Sequence, residues 1–193
     1  MPRANLNEHT VLEAAAGLAD REGFAAVTVS AVARLLGVQP ASLYEHVRGR
    51  EALLDGIQRL ALGELSSRIS AGVAGCAGSE ALRGLADAHR AYSRERPGAW
   101  AAIERRASAQ TAQSPEAGRV ASLTLAVVRG YPVPSDALIH AARLIGATIN
   151  GFLTLSRVDA FGHRSEAEEE SWTVTIDALD RALHTWPAKG VRS

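Results

Sequence analysis

Residues 28–47 read TVSAVARLLGVQPASLYEHV, and each residue type in this stretch has a local physical reason. Thr28 is suited to cap a helix, because its hydroxyl can accept from an amide of the first turn. Val29, Val32, Ala33 and Leu36 then recur at helical spacing and form one apolar face. Gly37 supplies the positive φ of a tight turn. Pro40 fits the first turn of a second helix, where its missing N–H would have no partner anyway, and Leu43 points inward behind it. Two short helices joined by a glycine turn form a helix-turn-helix layout. Ala33 is small where the helices cross closest, and Val32, Leu36, Val38 and Leu43 form the wedge that fixes their angle.

That wedge leaves Gln39, Pro40, Ala41, Ser42, Tyr44 and Glu45 facing outward. A short helix held this way fits the ~12 Å major groove of DNA, with its N-terminal residues against base edges. Gln39 and Ser42 are the expected base readers. Tyr44, His46, Arg48 and Arg50 gather hydrogen-bond donors around the helix end, where phosphate oxygens would lie. Thr28 and the amides it introduces are expected to hold another phosphate. Glu45 is the awkward residue: a carboxylate here repels phosphate unless it accepts from a cytosine N4 or pairs with Arg48. It is expected either to face away from the DNA or to read cytosine.

Working outward, Val11, Leu12, Ala15, Leu18 and Ala19 give a first helix ending at Gly23, and Leu53, Leu54, Ile57 and Leu60 begin a long fourth one. The run AGVAGCAGS at 71–79 has too little bulk and too much glycine to hold a packed helix face, so a bend or boundary is expected there. Further helices are expected near 80–95, 97–109, 114–129, 135–156 and 165–186. The starts are marked by Ser114 with Pro115 and Glu116, by Ser135 with Asp136, and by Ser165 with Glu168 in capping-box spacing. β-branched alternation long enough for a sheet is absent. The expected fold is all-α, with about nine helices in two parts: a DNA-binding helix-turn-helix domain over 1–60 and a larger helical effector-binding and dimerisation domain over 61–193.

Composition narrows the function classes. The 193 residues carry 21 basic and 21 acidic side chains, so any nucleic-acid surface must be local. Within residues 1–60, six arginines are outnumbered by seven carboxylates. Cys76 is the only cysteine, which excludes an intrachain disulfide or cysteine zinc site. The acidic run Glu166, Glu168, Glu169 and Glu170 suits a helix start, where it complements the macrodipole, and no metal or cofactor is expected. No hydrolase, metalloprotease, phosphate-loop or dinucleotide signature is present, so the chain is not expected to be an enzyme. No uninterrupted apolar run reaches the ~18 residues of a membrane span, and a cytoplasmic location without membrane association is expected.

Two later helices carry apolar stripes. Trp172, Ile176, Leu179, Leu183 and Trp186 lie on one, and Leu138, Ala142, Ile145, Ile149 and Phe152 on the other. Paired across a twofold axis, such helices can build a four-helix bundle. Leu138, Ile145, Ile149, Trp172, Ile176, Leu179 and Leu183 are the expected dimer contacts. A homodimer would read half-sites about 34 Å apart, so the operator should be near-palindromic. For a small apolar or amphipathic ligand, the expected set is His89, Tyr92, Trp100, Thr148, Asn150 and Phe152, an aromatic surface with sparse polar groups.

The segment LADREGF-AAVTVSAVARLLGVQPASLYEHVRGREALL, residues 18–54, resembles the N-terminal signature of the TetR family of regulators. HRAYSRERPGAW at 89–100 and INGFLTLSRVDAFG at 149–162 resemble its WHG-type branch. The resemblance implies a helical DNA-binding domain followed by a helical core that dimerises and receives a small ligand. It implies phosphate contacts at Tyr44 and Arg50, with arginine in place of the commoner lysine at position 50. It also implies a repressor released from its operator by a ligand. The alternative is an effector-independent DNA-binding protein, or an activator acting through protein partners.

Overall fold

The computed structural model describes residues 6–163 and 166–187. Ten α-helices account for most of them: α1 (Glu8–Glu22), α2 (Val29–Leu36), α3 (Pro40–Leu43), α4 (Arg50–Val73), α5 (Gly78–Glu95), α6 (Pro97–Ile103), α7 (Ala109–Ala112), α8 (Pro115–Val128), α9 (Leu138–Arg157) and α10 (Glu168–His184). Short 3-10 turns precede α2 and α9, and no strand occurs among the described residues. The expected all-α class is what the chain adopts.

Two compact units are distinguishable. One comprises the described residues up to Ser66 with Tyr92–Val120, the other Ser67–Ala91 with the described residues from Ala121 onward.

In the first unit, α1 packs against α2 and α6. Val11, Leu12, Ala15, Val32, Ala33, Leu43, Val47, Leu53 and Ile57 form part of its buried core. The local signals act as the residue types dictate. Thr28 Oγ1 accepts from the Ala31 amide at 3.1 Å, Gly37 stands in the left-handed region at φ 68°, and Pro40 opens α3. Ala33 is fully buried at the crossing.

One difference from the periodicity lies at 97–109. α6 stops at Ile103 and a separate one-turn helix, α7, follows, capped by Ser108 Oγ accepting from Thr111 N–H. The break has a tertiary cause: Gln58 Nε2 donates to the Arg105 carbonyl at 3.1 Å and, more weakly, to that of Ile103 at 3.5 Å. Carbonyls satisfied from α4 need no continuing helix.

In the second unit, α9 packs on α10. Phe152 meets Trp172 edge-on at 5.2 Å and Phe161 at 4.8 Å. The glycine-rich run is a bend: α4 continues to Val73 and α5 begins at Gly78. Its glycines bring two backbones together, since a Cβ on Gly72 would stand 2.8 Å from the Gly84 carbonyl oxygen. Ser114 caps α8 as expected, accepting from Ala117 N–H at 3.2 Å. The capping box expected from Ser165 lies outside the described residues, and α10 starts at Glu168 without a side-chain cap.

Candidate nucleic-acid interface

Leu43 and Val47 are buried on the inner side of the second helical segment, and the Val47 amide donates back to Leu43 O at 2.8 Å. The helical path therefore continues past α3 as irregular turns. Residues on the opposite side are exposed: Ala41, Tyr44, Glu45 and Arg48. Tyr44 is 58% exposed. Gln39 and Pro40 are exposed at the start of α3 and Ser42 is half-buried beside them. The Gln39 side chain makes no capping bond, so its amide is available to a base edge.

The other expected DNA contacts flank this face. Thr28 is exposed at the α2 N-terminus while it caps the helix. Arg50 spends its Nε on the Val27 carbonyl at 3.0 Å, which fastens the start of α4 to the residue before the cap. His46 is half-buried and Arg48 exposed. Both line a groove of about 460 Å³ with Glu8, Val47, Ala52, Asp55, Arg59 and Gln110.

The unfavourable charge count of the N-terminal stretch resolves in three dimensions. Arg105 donates to Glu51 Oε2 at 2.9 Å and reaches Asp55 at 3.5 Å. Arg96 holds Asp20 at 2.6 Å and Glu64 at 3.0 Å, and Arg59 faces Glu8 at 3.8 Å. These carboxylates are partly neutralised within the protein, whereas Arg34 and Arg48 are exposed and make no ion pair among the described residues. Arg96 and Arg105 belong to the site's electrostatics although sequence reasoning gave them no role. The only signal would have been their contact with α1 and α4, which spacing does not encode.

The expected ligand residues do not form one cluster. Tyr92 and Trp100 meet edge-on at 6.5 Å in the first unit. Tyr92 donates to Glu64 Oε2 at 2.7 Å, and burial pushes its phenol above the ordinary range. His89, in the second unit, is buried with Nδ1–H donating to Leu85 O at 2.8 Å, and burial lowers its pKa. Phe152 belongs to the aromatic group around Trp172. Thr148 is half-buried, while Asn150 is exposed: steps of two along a helix turn about 200°, so Asn150 faces away from both neighbours in the set. A groove of about 180 Å³ between α5 and α10, lined by Arg83, Asp87, Glu169, Trp172, Thr173, Ile176 and Asp177, contains none of the six.

Most of the expected dimer contacts are covered within one chain. Ile145, Ile149, Trp172, Ile176, Leu179 and Leu183 are buried within one chain, between 0% and 4% exposed, and Leu138 is half-buried. On these inner sides α9 packs on α10. What remains on the outer sides of α9 and α10 is a different set: Ile139, Leu144, Leu155, Val158 and Val174. The acidic start of α10 likewise has an internal partner, since buried Arg90 pairs with Glu169 at 2.6 Å and Glu168 at 3.7 Å, and lies 5.0 Å over the Trp172 ring.

Residues 11–57 match the family described as bacterial regulatory proteins, tetR family, and residues 82–179 match the tetracyclin repressor-like C-terminal domain. The chain is 30% identical over 176 residues to YobS, an uncharacterized HTH-type transcriptional regulator of Bacillus subtilis (strain 168), with 91% of each chain covered. In fold it is similar to a protein of unknown function from Rhodococcus sp. RHA1, with TM-score 0.77, 21% identity, and coverage of 95% of this chain and 98% of that one. It is also similar to a TetR variant from Acinetobacter baumannii AYE in complex with minocycline, with TM-score 0.75, 18% identity, and coverage of 96% and 100%. An exposed recognition face on a glycine-turned helix pair, with these matches at both ends of the chain, leads to one conclusion: this chain belongs to the TetR family of bacterial DNA-binding transcriptional regulators.

Proposed function

We propose that the chain is a cytoplasmic repressor that binds a near-palindromic operator as a homodimer and is released from it by a small apolar or amphipathic ligand. The observation that carries the reading is Tyr44, exposed at 58% on the side of the segment opposite buried Leu43 and Val47, with Arg48 exposed there too and making no ion pair among the described residues. In this reading residues 1–60 bind DNA. Thr28, Gln39, Pro40, Ala41, Ser42, Tyr44, His46, Arg48 and Arg50 supply the contacts: Gln39 and Ser42 to bases, the donors around them to phosphates.

Residues 61–193 dimerise and receive the effector. The outward apolar side chains of α9 and α10 support pairing with a second copy. The segment Ser135–Arg157 has the length and apolarity of a membrane span, with mean hydropathy 1.3, yet Arg143 and Asn150 interrupt it. A helix apolar on an inner and an outer side fits a subunit interface. The minocycline complex of a protein of the same fold supports an effector of that general size, and Tyr92 with Trp100 is the aromatic pair retained as a candidate lining. Linkage then demands that ligand and operator weaken each other equally, typically by about 5- to 150-fold.

The test is capture of genomic DNA fragments, followed by challenge of the bound fragments with a small-molecule library. Specific fragments held by the parent, weakened by Tyr44→Ala and displaced by a subset of apolar compounds support the proposal. Specific capture that no compound relieves removes the ligand, and no specific capture removes the regulator.

A further inference from the structure

Glu45 is the only acidic side chain in residues 39–48. It is exposed, and it makes no hydrogen bond or ion pair among the described residues. That sets it apart from Asp20, Glu51, Asp55 and Glu64, each of which an arginine holds. Pairing with Arg48, which would have hidden its charge, does not occur. Its position is also central. Leu43 and Val47 define the buried side of this turn, and at about 100° per residue Ala41, one turn earlier, and Glu45 lie nearly opposite that side. The alanine leaves room beside the carboxylate.

A free carboxylate in the middle of a surface that meets phosphates weakens binding to every sequence unless a donor on a base edge compensates. The four bases differ sharply in what they offer there. Guanine presents two acceptors and thymine an acceptor and a methyl group. Adenine sets its N6 donor beside the N7 acceptor, and cytosine alone presents a donor with no acceptor. A carboxylate accepts and never donates, so cytosine is the one base it meets without repulsion.

Resting on the operator-binding reading, we infer that Glu45 fixes a cytosine in each operator half-site by accepting a hydrogen bond from its N4 amino group. The residue is then a specificity determinant that lowers affinity for other sequences more than it raises affinity for its own. Glu45→Gln, whose amide can donate as well as accept, should shift the preference at that position toward adenine.

The experiment is parallel selection from random duplex DNA, at one fixed salt concentration, with the parent, Glu45→Ala and Glu45→Gln. Because the side chain is exposed and unpaired, the variants should keep the parent's thermal midpoint, and that is measured first. The expected result is a C·G pair in each parent half-site whose replacement costs roughly 5- to 150-fold in affinity. That preference should disappear in the alanine variant and move to A·T in the glutamine variant. An unchanged motif, with both variants binding all sequences equally more tightly, would show a purely repulsive carboxylate and overturn the inference. A parent that enriches no motif overturns the operator reading itself, and this inference with it.

Discussion

The carboxylate of Asp20, on α1, is clasped by the start of α6: Arg96 Nε donates to Oδ2 at 2.6 Å, while the Gly98 and Ala99 amides donate to Oδ1 at 2.8 and 3.1 Å. One side chain thus serves as ion-pair partner and as the cap of a helix that begins 77 positions later. The helix that follows Arg96 is thereby fixed to the helix that supports the recognition pair.

Asp20→Ala leaves two helix-terminal amides and part of the Arg96 guanidinium without their partner. A loss of roughly 1–3 kcal/mol is expected, read from urea denaturation. Asp20→Asn keeps Oδ1 as acceptor for the amides and should lose less. Equal losses would show that the charge, rather than the cap, is what matters.

Gly98 is there because nothing larger fits: a Cβ would run into the backbone of Ala19 and Asp20. Gly98→Ala should destabilise the protein by about 1–3 kcal/mol and lower the thermal midpoint by several degrees. Gly118→Ala, on α8 where a Cβ meets nothing within 4 Å, should instead be neutral or stabilising by up to ~1 kcal/mol.

Leu144 and Leu155 are 37% and 47% exposed on α9. Leu144→Glu with Leu155→Glu should give a monomer of unchanged helical content in sedimentation velocity, where the parent should sediment as a dimer. Operator affinity should fall with it, because half-sites are no longer bound together. A doubly substituted chain that remains dimeric would place the interface elsewhere.

Burial holds the His89 imidazole below its ordinary pKa of 6.5, so the folded state favours the neutral ring. The unfolded chain then binds more protons in acid. The contribution is fully present above about pH 6.5 and is lost as pH falls from there toward the lower folded-state value. Unfolding free energies at pH 7.5 and 5 should diverge more for the parent than for His89→Asn, whose amide can still donate to Leu85 O. Parallel pH profiles would contradict the assignment.

What was legible in the sequence follows the range of the physics involved. Thr28, Gly37 and Pro40 act through their own backbone, so the helix pair and its outward face could be read directly. The α9 and α10 stripes were visible as periodicity, but periodicity does not say whether Ile145 and Trp172 face the same chain or a second one, and they face the same chain. The local count of charges could not show how the carboxylates are partnered, because Arg96 and Arg105 return from far along the chain to cover Asp20, Glu51 and Asp55. The break between α6 and α7 was hidden for the same reason, since Gln58 on α4 takes the carbonyls. Asn150 entered the ligand set by chemistry alone, and helix geometry turns it outward.

The most direct measurement is an equilibrium titration of a selected duplex and its scrambled counterpart at one near-physiological salt concentration, with the parent, Tyr44→Ala and Arg48→Ala. The account predicts at least ~1,000-fold preference for the selected duplex in the parent, with both variants binding it more weakly. Equal affinity for the two duplexes, measurable only at low salt and insensitive to Tyr44, would contradict it.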